Sequence, residues 1–386
     1  MHILILASGY PTEYSLNQGI FFRDQAESLA RNKENQVAVI ATVPVSIKAV
    51  LKKRLWSFGA KKTLRNDVRT IVYTFLNLPK VHRYRMLKSR KEAMKLIEAY
   101  IREFGKPDLI HLHGFQSGLQ AIDAKKKFGI PYVVTEHSTQ FIDDIVAPGL
   151  EPFAKSVFER ADVAIAVSVP FAQIMTKRYG REFQYIPNVV DTNIFQIAPD
   201  LKENSEFTFF NAAAFVVEKN QPMLLEAFAK VLETHPKCRL RLAGTGPNEQ
   251  NTKEYAGALK IDKQVDFLGV LPRTEIVKEM QQMDAFVLSS RVETFGVVLI
   301  EALSCGKPVV STKCFGPESI VTSPEVGILC EQNTSDLASA MIQMIQNKSD
   351  YNRDVIRKHA IDRFSNEVVI NQLMHVYQTI VSKSNA

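Results

Sequence analysis

Along the chain, short apolar runs alternate with longer stretches in which apolar and polar positions mix at helical spacing. In the first half the runs are "HILILAS", "VAVIATV", "TIVYTFL", "DLIHLH", "PYVVTE" and "VAIAVS". In the second half they are "FTFFNAAAF", "RLRLAG", "VDFLG", "AFVLSS", "PVVST" and "GILC". Near-continuous apolar runs of this length, separated by amphipathic segments such as 20–31, 84–103 and 151–161, predict strands of parallel sheets covered on both faces. The pattern breaks within "QYIPNVVDTNIFQIAPDLKENSE", where Pro187, Asp191, Pro199 and Asp200 precede a charged run. The expected architecture is therefore α/β with two doubly wound domains, over 1–197 and 198–365, and a final helix over 366–386 crossing back to the first domain. Doubly wound sheets bind ligands at the carboxyl ends of their strands, and two such domains facing each other make a cleft.

Composition adds only bounds. The 386 residues, 46% hydrophobic and 23% charged, are those of a globular chain too long for one small core. "MHILILASGYP" lacks a basic leader and a small-residue cleavage site, so it reads as a buried first strand. No run reaches the roughly 18 apolar residues of a membrane span. Cys238, Cys305, Cys314 and Cys330 form no C-x-x-C, which argues against a zinc site or a disulfide framework and for a reducing, cytoplasmic setting.

Charge changes the picture more. From Lys48 to Lys95 there are 15 Lys and Arg against 2 Asp and Glu, while the rest of the chain carries −6 of the overall +7. Within "IKAVLKKRLWSFGAKKTLRN" the cations surround Leu51, Leu55, Trp56 and Phe58. Cations interleaved with apolar groups suit an anionic membrane surface reached through 47–95. Nucleic acid is not expected, because no recognised binding module accompanies the charge.

Chemistry is sought in "SRVETFGVVLIEALSCGKPVVST", residues 290–312. A strand, a helix stopped by Gly306 and Pro308, and a second strand are predicted, with Glu293 in the lead-in and Glu301 inside the helix. Eight helical positions span about 12 Å, too far for a glycosidase-type carboxylate pair at roughly 5–9.5 Å. The two acids read instead as clamps on the ends of one extended ligand. Between them the backbone amides of Thr294, Phe295, Gly296, Val297 and Val298 would form an anion site at the helix N-terminus, suited to a diphosphate.

"ETFGVVLIEALSCGKPVV" resembles the donor site of the retaining family 4 glycosyltransferases, which have the GT-B fold of two facing Rossmann-like domains. "VVEKNQPMLLEAFAKV" is similar to that family's lysine-bearing phosphate loop, "RLAGTGP" to its G-x-G-P loop, and "VDFLGVLPRTEI" to its base-binding segment. "YIPNVVDTNIF" resembles its hinge and "GYPTEYSLNQGIFFRDQAESLA" its glycine loop and first helix. The resemblance implies a nucleoside-diphosphate sugar, UDP- or GDP-linked, as donor substrate, a hydroxyl acceptor, and neither cofactor nor metal.

Carried over residue by residue, it places Glu293 by the donor sugar, Glu301 on the ribose hydroxyls and Lys219 on the diphosphate, where negative charge grows as the nucleotide leaves. Gly19, Gly244 and Gly246 would let backbone approach the donor. His137, after the strand "PYVVTE", would lie by the reacting sugar. Of His111 and His113 in "HLHG", only one is expected to face the site, and His113 at the strand end is the better candidate. Where many relatives carry a second phosphate-binding arginine, this chain has Ala214, and Arg273 or Arg291 is the nearest substitute by sequence.

The expected activity is transfer of a sugar to a hydroxyl, on a lipid-linked saccharide met at the inner face of the cytoplasmic membrane, in cell-surface polysaccharide or glycolipid synthesis. The rival is a sugar-nucleotide-binding protein or partner subunit without turnover, motivated by Ala214. A nicotinamide-dependent oxidoreductase would need G-x-G-x-x-G after the first strand, and "ASGYPTEYS" offers a single glycine.

Overall fold

The computed structural model describes residues 1–15, 18–77, 82–147, 149–199 and 205–385. These form two compact units. The first comprises Met1–Val167, Ala172–Val189 and Val369–Ala386, and the second Ser168–Phe171 and Val190–Val368.

The strands of the first unit are β1 (His2–Ala7), β2 (Gln36–Ser46), β3 (Gly59–Arg65), β4 (Val68–Asn77), β5 (Leu109–His113), β6 (Tyr132–Glu136), β7 (Val163–Ala166) and β8 (Gln184–Tyr185). They lie in the order β3-β4-β2-β1-β5-β6-β7-β8, parallel throughout except for β3. β1 and β5 are buried almost end to end because helices cover both faces. β3 is different. Its sequence, GAKKTLR, is charged and largely exposed, so no apolar run betrays it, and it pairs antiparallel at the sheet edge, where charge discourages further strand pairing.

The second unit carries β9 (Thr208–Ala212), β10 (Arg239–Ala243), β11 (Val265–Gly269), β12 (Ala285–Leu288), β13 (Val309–Thr312) and β14 (Gly327–Cys330). They form one parallel sheet in the order β11-β10-β9-β12-β13-β14. These are the six apolar runs read from the second half of the sequence. Phe209, Leu240 and Val287 pack there against Leu224, Phe228 and Met341 of the flanking helices.

The C-terminal helix Asn366–Asn385 packs on the first unit: Val369, Leu373, Tyr377 and Ile380 join a core with Ile3, Ile5, Val37, Val39 and Leu29. Each such apolar side chain contributes about 1.5–3 kcal/mol by burial. The units divide between Val189 and Val190 rather than near residue 197. Val190 already bridges Ser365, and Arg357 donates to the carbonyls of Thr192 and Phe195, which binds 190–197 to the second unit. Residues 200–204 of the expected boundary, and 78–81 of the basic block, lie outside the described residues.

Candidate functional site

In the second unit the loops leaving β9, β10 and β12 meet at the carboxyl edge of the sheet. The β9 and β10 loops are laced together: Phe215 N–H donates to the Thr245 carbonyl (3.1 Å) and Asn248 N–H to the Phe215 carbonyl (3.1 Å). Gly244 and Gly246 make this possible. Gly244 has φ 136°, and a Cβ there would lie 1.9 Å from the Ala213 oxygen; at Gly246 it would lie 2.4 Å from the Phe215 oxygen. The close approach these glycines permit is thus one loop backbone to another.

Lys219 ends a single helical turn, Val217–Lys219, closed by Asn220 with φ 50°. The turn is tied to the exit of β12: Ser289 Oγ donates to the Lys219 carbonyl (2.9 Å) and Arg291 N–H to the Glu218 carbonyl (2.7 Å). Lys219 Nζ consequently reaches Glu293, lying 2.5 Å from Oε1, and Ser290 Oγ donates to the same oxygen at 2.8 Å. The side chains of Lys219 and Glu293 are 26% and 13% exposed, so the pair is shielded without being sealed. The Glu293 backbone is fixed as well, its N–H donating to Cys314 O (2.9 Å) and its carbonyl accepting from Gly316 N–H (2.8 Å).

The helix following Glu293 runs only from Val297 to Ser304. Gly296, with φ 102°, turns the chain into it. Leu299 N–H donates to the Gly296 carbonyl (2.9 Å), so the amides of Val297 and Val298 precede the first bond of the helix and carry the positive end of its dipole. Leu299, Ile300, Ala302 and Leu303 are buried, whereas Val297, Val298 and Glu301 are half-buried and share the remaining face by i, i+3 and i, i+4 spacing. That placement explains a carboxylate in so apolar a helix. It also corrects the 12 Å reading: Glu293 lies outside the helix in a bridge to Phe315, and only the four steps from Val297 to Glu301, about 6 Å, are helical. Thr294 is half-buried and Phe295 buried, its ring edge-on to Phe364 at 5.8 Å.

Of the substitutes for a second phosphate-binding arginine, Arg273 opens the helix Arg273–Gln282 with its guanidinium 5.4 Å above the Phe195 ring. Arg291 is exposed beside the Lys219 turn. Ala214 is exposed, and its carbonyl accepts from Gln221 Nε2 (2.9 Å), which holds the loop from the far side.

In the first unit Gly19 caps the helix Ile20–Ala30 at φ 67°, with a would-be Cβ 2.5 Å from the Gly9 carbonyl. Behind this loop lies a row of histidines. His111 and His113 stand two residues apart on β5 and therefore face the same side, ring centroids 4.1 Å apart, which corrects the expectation that only one would do so. His113 Nδ1 lies 3.1 Å from His137 Nε2, and Phe21 and Phe22 close over His137 at 5.1 and 5.2 Å. His111 is anchored by the Tyr377 hydroxyl (2.5 Å) and Thr135 Oγ1 (2.8 Å). Burial holds His111 and His137 down to about 3 and His113 well below its ordinary value, so all three are neutral near pH 7. Neutral His137 can accept or donate one hydrogen bond toward a hydroxyl or phosphate.

Sequence reasoning missed Glu136. It is buried, and its Oε1 accepts from the amides of His137 and Ser138 and its Oε2 from that of Phe115, each at 2.9 Å. Burial raises its pKa to about 7 against the lowering effect of those bonds. Glu136 joins the loops after β5 and β6 and so positions His137; a carboxylate at the end of an otherwise apolar strand was the available signal. Beside these loops is a cavity of about 280 Å³, walled by Ser8, Gln18, Thr42, Arg85, Ser89 and Ser117 among others. Among the described residues no group of three His, Cys, Asp or Glu side chains could hold a metal ion.

Comparison with known proteins agrees with this layout. The family description "Glycosyl transferases group 1" matches residues 193–362, and "Glycosyltransferase Family 4" matches 20–194. An N-acetyl-alpha-D-glucosaminyl L-malate synthase of Bacillus anthracis is 26% identical over 308 residues, 75% of this chain and 78% of that protein. A phosphatidyl-myo-inositol mannosyltransferase of Mycobacterium leprae is 26% identical over 296 residues, 73% and 76% of the two chains. The fold is shared with an Anabaena protein, Alr3699/HepE, solved in complex with UDP-glucose, at a TM-score of 0.74 and 20% identity over 98% of this chain and 100% of that one. With two parallel α/β units and both family descriptions matched in succession, the chain belongs to the family 4, group 1 glycosyltransferases of the GT-B fold.

Proposed function

We propose that this protein is a retaining glycosyltransferase that moves a sugar from a nucleoside diphosphate to an acceptor hydroxyl without a metal ion or cofactor. The observation that carries the reading is the Lys219–Glu293 pair beside the Val297 helix, with Glu301 a turn along the same half-open face. Lys219 and the first amides of that helix would take the growing negative charge of the leaving diphosphate, work that a divalent cation does elsewhere. Glu301 would hold the ribose hydroxyls and Glu293 the sugar, while Gly244, Gly246 and Arg273 would border the nucleotide. In the first unit, Gly19 would bring backbone to the donor phosphate and neutral His137 would bond the reacting sugar or the incoming hydroxyl. For same-face displacement the leaving phosphate oxygen can itself accept the acceptor's proton, which removes the need for a strong side-chain base.

The acceptor is proposed to be a lipid-linked saccharide at the inner face of the cytoplasmic membrane. Leu51 and Trp56 are 61% and 64% exposed beside Lys52, Lys53 and Arg54, a combination suited to an anionic lipid surface. The Mycobacterium leprae relative, named for a phosphatidyl-myo-inositol substrate, supports a lipid acceptor.

The test is a thermal-shift screen against nucleoside diphosphates and their sugars without added metal, followed by an assay for nucleoside diphosphate release. Stabilisation followed by slow release supports the transferase and names its donor. Stabilisation without release, even with lipid acceptors, favours a non-catalytic binder and points to Ala214. No stabilisation by any nucleotide defeats the assignment of Glu293 and Glu301.

A further inference from the structure

A second and larger cavity, of about 460 Å³, lies in the first unit against the edge hairpin β3–β4. Its floor is one face of that hairpin, where Thr63 pairs with Thr70, Lys61 with Val72 and Gly59 with Thr74. The loop Tyr10–Tyr14 covers it, and Phe58 walls one side. The Tyr14 and Phe58 rings stack at 6.3 Å and 12°. Tyr14 is locked there, its hydroxyl donating to Ser57 O (2.8 Å) and accepting from Ser57 N–H (2.9 Å). Thr70, Val72 and Thr74 point to the face of β4 opposite Phe75, which lines the 280 Å³ cavity, and the two cavities share no lining residue. The β1 loop serves both, giving Ser8 and Gln18 to the smaller and Tyr10 to Tyr14 to the larger.

The lining selects among ligand classes. Lys61, the cation of the wall, is paired with Glu13, so the cavity offers no net charge to a phosphate. Thr74 Oγ1 donates to Ser57 O (3.2 Å), Thr12 Oγ1 accepts from Ser15 N–H (3.3 Å) and Thr70 bonds Tyr10, so these hydroxyls keep part of their bonding capacity. A purely apolar chain would leave that capacity and the Thr63 hydroxyl unused, at about 1–3 kcal/mol for a group left unbonded. A neutral sugar ring fits both demands. Its hydroxyls can bond the threonines and the Glu13–Lys61 pair, and its C–H face can lie on Phe58, Val72 and Tyr10. The volume falls within the roughly 300–1,000 Å³ range of small-ligand sites.

We propose that this cavity is a seat for a neutral saccharide ring, distinct from the place of the reacting hydroxyl. It rests on the transferase reading in one respect: the bound sugar is taken to be a residue already built into the acceptor, so that the enzyme grips a growing chain at a second point.

The experiment is saturation-transfer difference NMR on the full chain with methyl α- and β-glycosides of glucose, galactose, mannose and N-acetylglucosamine, in the presence of excess UDP and GDP. It is repeated on Thr74→Trp, which fills the floor, and Phe58→Ala, which removes the wall. The expected result is binding of at least one glycoside to the wild type, unaffected by the nucleotides and about five- to tenfold weaker in each variant, through the lost aromatic contact in Phe58→Ala and the filled floor in Thr74→Trp. Three results overturn the proposal: no glycoside binds, all three proteins bind alike, or the nucleotides displace the glycoside. Should Thr74→Trp fail to fold, Phe58→Ala decides alone, since that side chain is 41% exposed. The transferase reading is judged separately, on the wild type, by release of nucleoside diphosphate from a nucleotide sugar.

Discussion

Lys219 and Glu293, 74 positions apart in the chain, stand 2.5 Å apart in the structure, a cation from the loop after β9 meeting an acid from the loop after β12. Those strands are neighbours in the sheet, so a proposed phosphate ligand and a proposed sugar ligand are adjacent because their strands are.

Replacing either partner should therefore separate chemistry from binding. Lys219→Ala removes the charge proposed to act at the leaving phosphate, and kcat should fall by about 10²–10³. Glu293→Ala should lower turnover more than nucleoside diphosphate affinity. Steady-state kinetics beside calorimetric titration of the nucleotide measure both effects, and near-normal turnover in both variants would refute the assignment.

Glu301→Ala tests the proposed other end of the ligand. Loss of a charged hydrogen-bonding group from the ribose should weaken nucleoside diphosphate binding by about ten- to a hundredfold, corresponding to about 1.5–3 kcal/mol. Unchanged affinity in a titration would show that Glu301 merely occupies an open helix face.

Gly244→Ala and Gly246→Ala test a structural demand. With a Cβ placed 1.9 Å and 2.4 Å from neighbouring carbonyl oxygens, the β9 and β10 loops must part. Each variant should melt several degrees lower even without nucleotide, as about 2 kcal/mol or more in a domain of this size implies. Ligand-free melting curves identical to wild type would contradict the loop packing.

Acid should weaken the first unit through its histidines. His111, His113 and His137 have depressed pKa values, so below about pH 6.5 the unfolded chain binds protons that the folded chain refuses. Glu136 opposes this: its pKa is raised from 4.5 to about 7, so the folded state holds its proton where the unfolded state has lost it. Three groups outweigh one, and stability should fall as pH drops from 6.5 to 4.5, by on the order of 1–3 kcal/mol per unit. Denaturant unfolding between pH 4.5 and 8 gives the slope, which His113→Gln should reduce and Glu136→Gln should steepen. Stability that holds constant or rises on acidification would count against neutral buried histidines.

The exposed basic and apolar patch makes a simple forecast. Vesicles containing anionic lipid should sediment the protein, and Leu51→Asp with Trp56→Asp should leave it in the supernatant. Equal, negligible pelleting with anionic and neutral vesicles would remove the membrane from the proposal.

Much of this protein was fixed by local sequence. Parallel strands announce themselves because both faces are buried, which is why "RLRLAG" and "AFVLSS" are legible as β10 and β12. The places of Lys219, Glu293 and Glu301, at a helix start, at a strand exit and inside a short helix, were legible because such features are set by nearby residues, whereas their proposed roles rest on the resemblance. β3 was not legible, since a charged edge strand gains its identity from the partner beside it. Glu136 was not legible as a loop organiser, because two of its three amide donors follow it in sequence but the third, Phe115, comes from another strand's loop. Tertiary structure alone decided that Gly244 and Gly246 accommodate a neighbouring loop, that three histidines share one row running from buried His111 and His113 to half-buried His137, and that the edge hairpin floors a cavity. Sequence patterning records what each residue demands of its own segment, whereas close approach between segments depends on strand order, which no single segment encodes.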